Sequence, residues 1–263
     1  MAAVAAVTAV VACFSGLGMS AAHADVLDNI MKTKTIRIAT DLAIPPSGMM
    51  DASMKPIGSD VETAQLLAKD WGLKLEFVQT TGATRIPNLQ TGKADIAIST
   101  LSVTPDRAKV IDFSRAYAVL QSVVAARTNL SIHSLDDLKG KAVSVTRGTT
   151  QDVRLTAIAK EKGFQVVRYD DDATDVTAAV SGQSDIVATS LTIVNQITRQ
   201  NPARPFEQKV VLDVFDLAVG VKKGEPRLLA KVNEWIGVNL KNGKLNAIYK
   251  KYHGVDLPVQ MRQ

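Results

Sequence analysis

The chain has 263 residues, 46% hydrophobic and 22% charged, an ordinary globular composition with apolar material for one large or two mid-sized domains. Its net charge of +5 is spread along the chain, no basic block interleaves with aromatics, and aromatics make up only 5%. A base-stacking platform is thereby excluded, and no nucleic-acid partner is expected.

Residues 1–24 contain no Lys, Arg, Asp or Glu, and Ala22-His23-Ala24 has the small-x-small pattern of a signal-peptidase site before Asp25. The apolar run is short for a membrane span and is interrupted by Gly16, Gly18 and Ser20, so residues 1–24 are read as a signal peptide, though one without the usual basic start. Val10-Val11-Ala12-Cys13 loosely matches a lipoprotein box. Anchoring there is the weaker reading, because cleavage would leave the apolar stretch 14–22 on the product. Cleavage after Ala24 removes Cys13, the only cysteine, so the mature protein has no disulfides and folds on its core alone.

Thr35–Thr40 alternates as a strand, and the apolar positions Val61, Ala64, Leu67, Ala68 and Trp71 fall at helical spacing after Gly58-Ser59-Asp60. Residues 73–78 read as a strand, 85–92 as a short helix with a glycine stop, and 95–99 as a buried strand. A second block repeats that order: a small capped helix at 134–138, a strand at 142–146, a helix at 150–162, a strand at 166–169, a helix at 175–181 and a strand at 185–188. Residues 228–252 form two amphipathic helices broken near Asn242-Gly243. The fold class is therefore α/β, with mostly parallel sheet. Two extended apolar segments, 122–126 and 217–221, frame the second block. As crossover strands they make a two-lobed clamshell with two hinge strands, lobe 1 being 25–124 plus 218–263 and lobe 2 being 125–217. As ordinary sheet strands they leave a single large domain.

The segment Ser99 to Arg107 concentrates the chemistry. Thr104 is placed as an N-cap with Pro105 at the first helical position, Thr100 and Ser102 sit at a strand end, and Arg107 lies in the first helical turn. A guanidinium among hydroxyls and helix-start amides is a carboxylate receptor; the alternative is a surface pair with Asp106 or Asp112. The second block offers a counterpart in Arg147-Gly148-Thr149-Thr150, where Thr149 and Asp152 have capping-box spacing. Zinc, nucleophile-elbow and P-loop motifs are all missing, so no catalytic residue, metal or cofactor is expected. His133 and His253 read as surface residues, and Asp170-Asp171-Asp172 as a solvated loop.

In order along the chain, Arg37-Ile38-Ala39-Thr40-Asp41, Gly58-Ser59-Asp60-Val61-Glu62, the run from Ile86 to Asp95, Ser102 to Arg107, Asp112-Phe113-Ser114, Leu135 to Lys141 and Gly148-Thr149-Thr150 resemble the periplasmic amino-acid-binding proteins of ABC transporters, extracellular solute-binding family 3. The resemblance implies a monomeric periplasmic clamshell that delivers a polar or acidic amino acid, or a related carboxylate, to a membrane permease. It implies that Arg107 grips the ligand carboxylate, with Thr100, Ser102, Thr149 and Thr150 completing the polar shell. It makes Arg85, in Ala83-Thr84-Arg85-Ile86-Pro87, a candidate for a second ligand carboxylate, and Arg147 a further anion-favouring charge. Two aromatic positions of the family fall on Ile44 and Gly82, and its ammonium-binding aspartate falls on Ser190, which leaves Asp41 as a possible substitute. Some proteins resembling this family are cyclohexadienyl dehydratases. That chemistry needs a general acid, and no Glu or His on the cleft-forming segments matches one.

Overall fold

The computed structural model describes residues 25–262. The expected signal peptide, its cleavage motif and Cys13 lie outside the described residues. Among the described residues no helix is long and apolar enough to cross a membrane.

Asp25 caps α1 (Val26–Thr33), a helix the periodicity reading omits, by accepting from the Leu27 N–H at 2.8 Å. Next come β1 (Thr35–Thr40), the two-residue pair β2 (Met49–Met50) and β3 (Pro56–Ile57), α2 (Ser59–Asp70), β4 (Lys74–Gln79), α3 (Arg85–Gln90), β5 (Ile96–Ala97) and the four-residue α4 (Pro105–Ala108). Strand β1 is parallel to both β4 and β5. Its alternating side chains serve both faces of the sheet. Ile36 and Ile38 join Leu67 of α2, while Ala39 joins Leu89 of α3.

The chain then enters β6 (Ile111–Arg127), 17 residues long, and a 3-10 turn at Leu135–Leu138 capped by Ser134. The second half follows as β7 (Ala142–Thr146), α5 (Thr150–Lys162), β8 (Gln165–Tyr169), α6 (Asp172–Ser181), β9 (Ile186–Ser190) and α7 (Leu191–Gln200). β7 is parallel to β8 and β9, so the second half repeats the strand–helix order of the first. Val124 and Ala126 of β6 pack with Val143, Val145 and Leu155 on one face, whereas Val123 and Ala125 pack with Val176, Val187 and Ile193 on the other. Helix α7 lies outside the elements that the sequence pattern predicts, although Ser190 caps it and Ile193, Val194 and Ile197 form its buried stripe.

The return strand β10 (Phe206–Lys222) is also 17 residues long and pairs antiparallel with β6 along its length. Together they make one sheet of order β4-β1-β5-β10-β6-β9-β7-β8. β9 pairs with β6 at residues 122–126, and β5 pairs with β10 at 220–221. Between those points, near residues 118–121 opposite 214–217, the sheet narrows to the two-strand ribbon. The two expected crossover segments are therefore opposite ends of this ribbon, each docked in a different half. Helices α8 (Pro226–Lys241) and α9 (Lys244–His253) return to the first half, where Trp235, Ile236 and Leu240 pack on Ile36 and Ile38.

Candidate functional site

The parallel strands of both halves end at one cleft, the place where α/β sheets present loops and helix starts. Ile44, Arg85, Thr100, Ser102, Arg107 and Leu120 line it from the first half, and Thr146, Thr149, Thr150, Gln151, Asp172, Thr189 and Ser190 from the second.

Thr104 adopts extended backbone and its hydroxyl accepts from the Arg107 N–H at 3.3 Å, which starts α4 at Pro105 as expected. The Arg107 guanidinium donates to the Ser102 carbonyl at 3.0 Å and, across the cleft, to the Gly148 carbonyl at 3.1 Å. The surface alternative fails because Asp106 pairs with Lys109 and Asp112 with Lys223. Burial, with Arg85 nearby, pushes the Arg107 pKa down to about 10, which still leaves it cationic at neutral pH.

Thr100 has φ +43°, a conformation rare for a β-branched residue. Asp60 holds it there: one carboxylate oxygen accepts from the Thr100 N–H at 2.7 Å and the other from the Tyr117 hydroxyl at 2.7 Å. Burial raises Asp60 to about 6. Arg85, 4% exposed, donates to the Ser99 carbonyl at 2.5 Å and the Thr100 carbonyl at 3.2 Å, and its guanidinium lies 4.0 Å from the Asp41 carboxylate. Asp41 is 1% exposed and lies beneath the lining, where burial raises its pKa and the Arg85 charge opposes the rise.

On the opposite wall, the Thr149 hydroxyl accepts from the Asp152 N–H at 3.2 Å and starts the 13-residue α5. The expected capping box is only half formed. The Asp152 carboxylate accepts from the Gly148 N–H at 3.0 Å, while the Thr149 N–H donates to the Thr146 carbonyl. Ser190 caps α7, accepting from the Ile193 N–H at 3.4 Å, with its hydroxyl 3.0 Å from that of Thr192.

The run at 170–172 is not a solvated loop. Asp170 is exposed and pairs with Arg147, Asp171 caps α6, and Asp172 is 4% exposed on the cleft lining. One oxygen of Asp172 accepts from the Thr146 hydroxyl at 2.9 Å; the other has no hydrogen-bond partner among the described residues. Burial, reinforced by Asp41 and opposed by Arg85, raises its pKa to about 7.

Two glycines form a seam between the halves. A Cβ on Gly82 would lie 2.6 Å from the Arg147 carbonyl oxygen, and one on Gly148, at φ +75°, would lie 2.8 Å from the Ala83 Cα. Only bare backbone allows this approach. Ile44 spans the same gap, leaving its loop in the first half to join Val123, Val187 and Ile193 in the second.

Of the residues singled out from the sequence, Arg85, Thr100, Ser102, Arg107, Thr149, Thr150 and Ser190 converge on the cleft. Asp41 does not line it, being held against Arg85, and Arg147 does not line it because it is exposed and paired with Asp170 at 3.0 Å. His253 is not a free surface residue: its ring stacks on Tyr249 with centroids 4.3 Å apart and its Nε2 lies 3.1 Å from the Ser59 hydroxyl. Sequence reasoning missed Asp60, Tyr117, Gln151 and Asp172. For Asp172 a signal existed, since Asp171 followed by Thr174 marks a helix start that takes its neighbour out of the loop.

The described structure matches known proteins throughout. It is similar to a solved solute receptor for L-cysteine from Neisseria gonorrhoeae, with TM-score 0.80 and 32% identity, covering 87% of this chain and 93% of that one. It is also similar to AncCDT-1, an ancestral amino acid-binding protein and precursor of cyclohexadienyl dehydratase, with TM-score 0.77 and 32% identity over 86% of this chain and 98% of that one. In sequence it is 28% identical to the L-cystine-binding protein TcyJ of Escherichia coli K12 over 94% of this chain and 93% of the relative. The model of one family matches residues 36–255, and the chain accordingly belongs to the bacterial extracellular solute-binding proteins, family 3.

Proposed function

We propose that the chain serves an ABC importer as its substrate-binding component and that its cleft closes on an α-amino acid. One observation carries this reading: Arg107, cationic and paired with no carboxylate among the described residues, donates to backbone carbonyls of both halves in a cleft that also receives the start of α5. A ligand carboxylate set against that guanidinium gains a two-pronged ion pair, with the Ser102, Thr149 and Thr150 hydroxyls and the α5 amides within the same lining. Contacts made to both halves favour the closed state over the open one. A second ligand carboxylate on Arg85 finds no support, because that guanidinium is committed to Asp41 and three carbonyls. The binding of cystine and cysteine by relatives agrees with an amino-acid ligand.

Lobe 1 comprises residues 25–121 and 218–263 and lobe 2 residues 122–217, with the bend in the ribbon at 118–121 and 214–217; residues 122–124 move from the sequence division of 25–124 and 125–217 into lobe 2 because they pair with β9. In this reading residues 1–24 direct export to the periplasm, where the monomeric protein meets its permease. The test is a thermal-shift and calorimetric screen of the twenty L-amino acids, L-cystine and the C4 and C5 dicarboxylic acids. Stabilisation by amino acids is expected; no response to any of them at millimolar concentration would reject the reading.

A second reading has one observation in its favour. A buried carboxyl titrating near 7 within the cleft, Asp172, has the property required of a general acid. Turnover of prephenate or arogenate, followed by product absorbance and lost in Asp172→Asn, would establish an enzyme; no turnover leaves the binding protein.

A further inference from the structure

The charges around the cleft do not all cancel internally. Arg85 and Asp41 sit 4.0 Å apart, both almost fully buried, and offset each other. Asp60 is occupied on both oxygens by the Thr100 N–H and the Tyr117 hydroxyl. Two charges remain without an opposite partner among the described residues, the Arg107 guanidinium and the Asp172 carboxylate, and both line the same cleft. Burying a carboxylate oxygen with nothing donating to it is costly. Asp41 and Asp175 also bury one such oxygen each, but of the three only Asp172 lines the cleft, where a ligand can supply the donor.

We infer that Asp172 receives the ligand's α-ammonium, so that Arg107 and Asp172 together read the two charges of an amino-acid zwitterion. This rests on the amino-acid reading above and adds to it the residue that distinguishes an amino acid from any other small carboxylate. The neighbouring side chains leave no equal candidate. Ser190, also on the lining, is neutral and already accepts from the Ile193 N–H to cap α7. Asp41 faces the Arg85 guanidinium and accepts from the Ala43 N–H at 2.9 Å, beneath the lining. The Thr100 hydroxyl, buried and with no hydrogen-bond partner among the described residues, supplies a second acceptor on the facing wall. An ammonium carries three donors, enough for one carboxylate oxygen and one hydroxyl.

The charged groups that act on Asp172 are Asp41 and Asp175, which disfavour its ionisation, and Arg85, which favours it. Among the groups that act on Asp172 itself, two carboxylates stand against one guanidinium, so its charge is not offset by them. A cation is therefore the complement, and an uncharged hydroxyl in its place is not.

The experiment is calorimetric titration of the purified protein with whichever L-amino acid of the screen binds best, and with the matching 2-hydroxy acid, which replaces only the ammonium. Wild type should prefer the amino acid by about 100-fold, the size of effect expected for a buried ion pair losing one charge. Asp172→Asn should cut that preference to about tenfold or less while leaving hydroxy-acid binding in place. Asp175→Asn changes a buried carboxyl of the same helix that does not line the cleft, and should keep the wild-type preference. Melting temperatures of each variant verify folding. An undiminished preference in Asp172→Asn overturns the inference while leaving the amino-acid reading intact, and so does its collapse in Asp41→Asn alone. If no amino acid binds the wild-type protein, both readings fall together.

Discussion

The two walls of the cleft are built from the same parts and finished differently. Each has a parallel strand end, threonine hydroxyls and a helix start, yet in the first wall every charged group but Arg107 finds its partners inside the lobe. Arg85 meets Asp41, Ser99 and Thr100, while Asp60 meets Thr100 and Tyr117. The second wall keeps on the cleft lining a carboxylate oxygen of Asp172 that has no hydrogen-bond partner among the described residues. Internal pairing makes a rigid platform, whereas an unmatched charge makes a recognition surface that weakens the fold it belongs to. Substitutions on the two walls should therefore differ in sign as well as in size.

The largest effect is expected from the committed wall. Arg85→Met strands Asp41 and the three carbonyls it serves and should cost about 3–5 kcal/mol of stability, measured by urea unfolding. A change under about 1 kcal/mol would show that the platform is not held by this pair. Arg107→Ala should leave stability nearly unchanged and weaken binding of the amino acid by about 100-fold or more in calorimetry, because a ligand carboxylate loses its charged partner. Full retention of affinity would remove the basis of the proposed site.

The seam between the walls comes next. Gly82→Val sets a side chain against the Arg147 carbonyl only when the lobes approach, so it should reduce affinity by about 5- to 100-fold, as overpacking by 1–3 kcal/mol does, without lowering the melting temperature. Equal loss of stability and affinity would mean that the seam is structural in the first wall alone.

Asp172→Asn probes the opposite sign. The folded carboxyl titrates near 7 against an ordinary 3.8, so between those values the folded protein holds a proton that the unfolded chain has released. Stability from this group therefore falls as pH rises from about 4 to about 7 and then levels off. His253, lowered to about 4 by burial, acts in the opposite direction, but it is common to both proteins and cancels in the difference. The variant should match wild type at pH 4, exceed it increasingly up to about pH 7 and keep that advantage at pH 8 in ligand-free thermal melts. A difference that does not change with pH would refute the assignment.

The smallest comparison is between the two helix starts. Thr149→Ala removes the cap of a 13-residue helix and should cost about 1 kcal/mol. Thr104→Ala affects a helix of only four residues and should cost less, about 0.5 kcal/mol. Parallel chemical denaturation of both variants makes that comparison.

Much of this arrangement could be read along the chain, and the reason is local. The strand at 35–40, the helix at 150–162 and the cap at Thr104 follow from alternation, periodicity and an N-cap followed by proline, which involve near neighbours only. Repetition of strand–helix order disclosed two similar halves, and motif order disclosed the family. The length of β6 and β10 was not legible, because their middle residues pair only with each other and carry no clear alternation of burial.

What the sequence by itself determined is the inventory: two α/β units, a threonine-rich helix start in each, and an arginine placed beside one of them. What only the tertiary structure decided is which charges cancel. Asp41, Arg85 and Asp172 lie far apart along the chain, and no local pattern says which of the two aspartates meets the arginine. Asp41 became an internal counterion because the fold set it 4.0 Å from Arg85, Arg147 was drawn to the surface by Asp170, and Asp172 was buried facing the cleft by the start of α6. Charge pairing depends on distances through space and on exclusion of water, and neither is encoded in the spacing of residues along the chain.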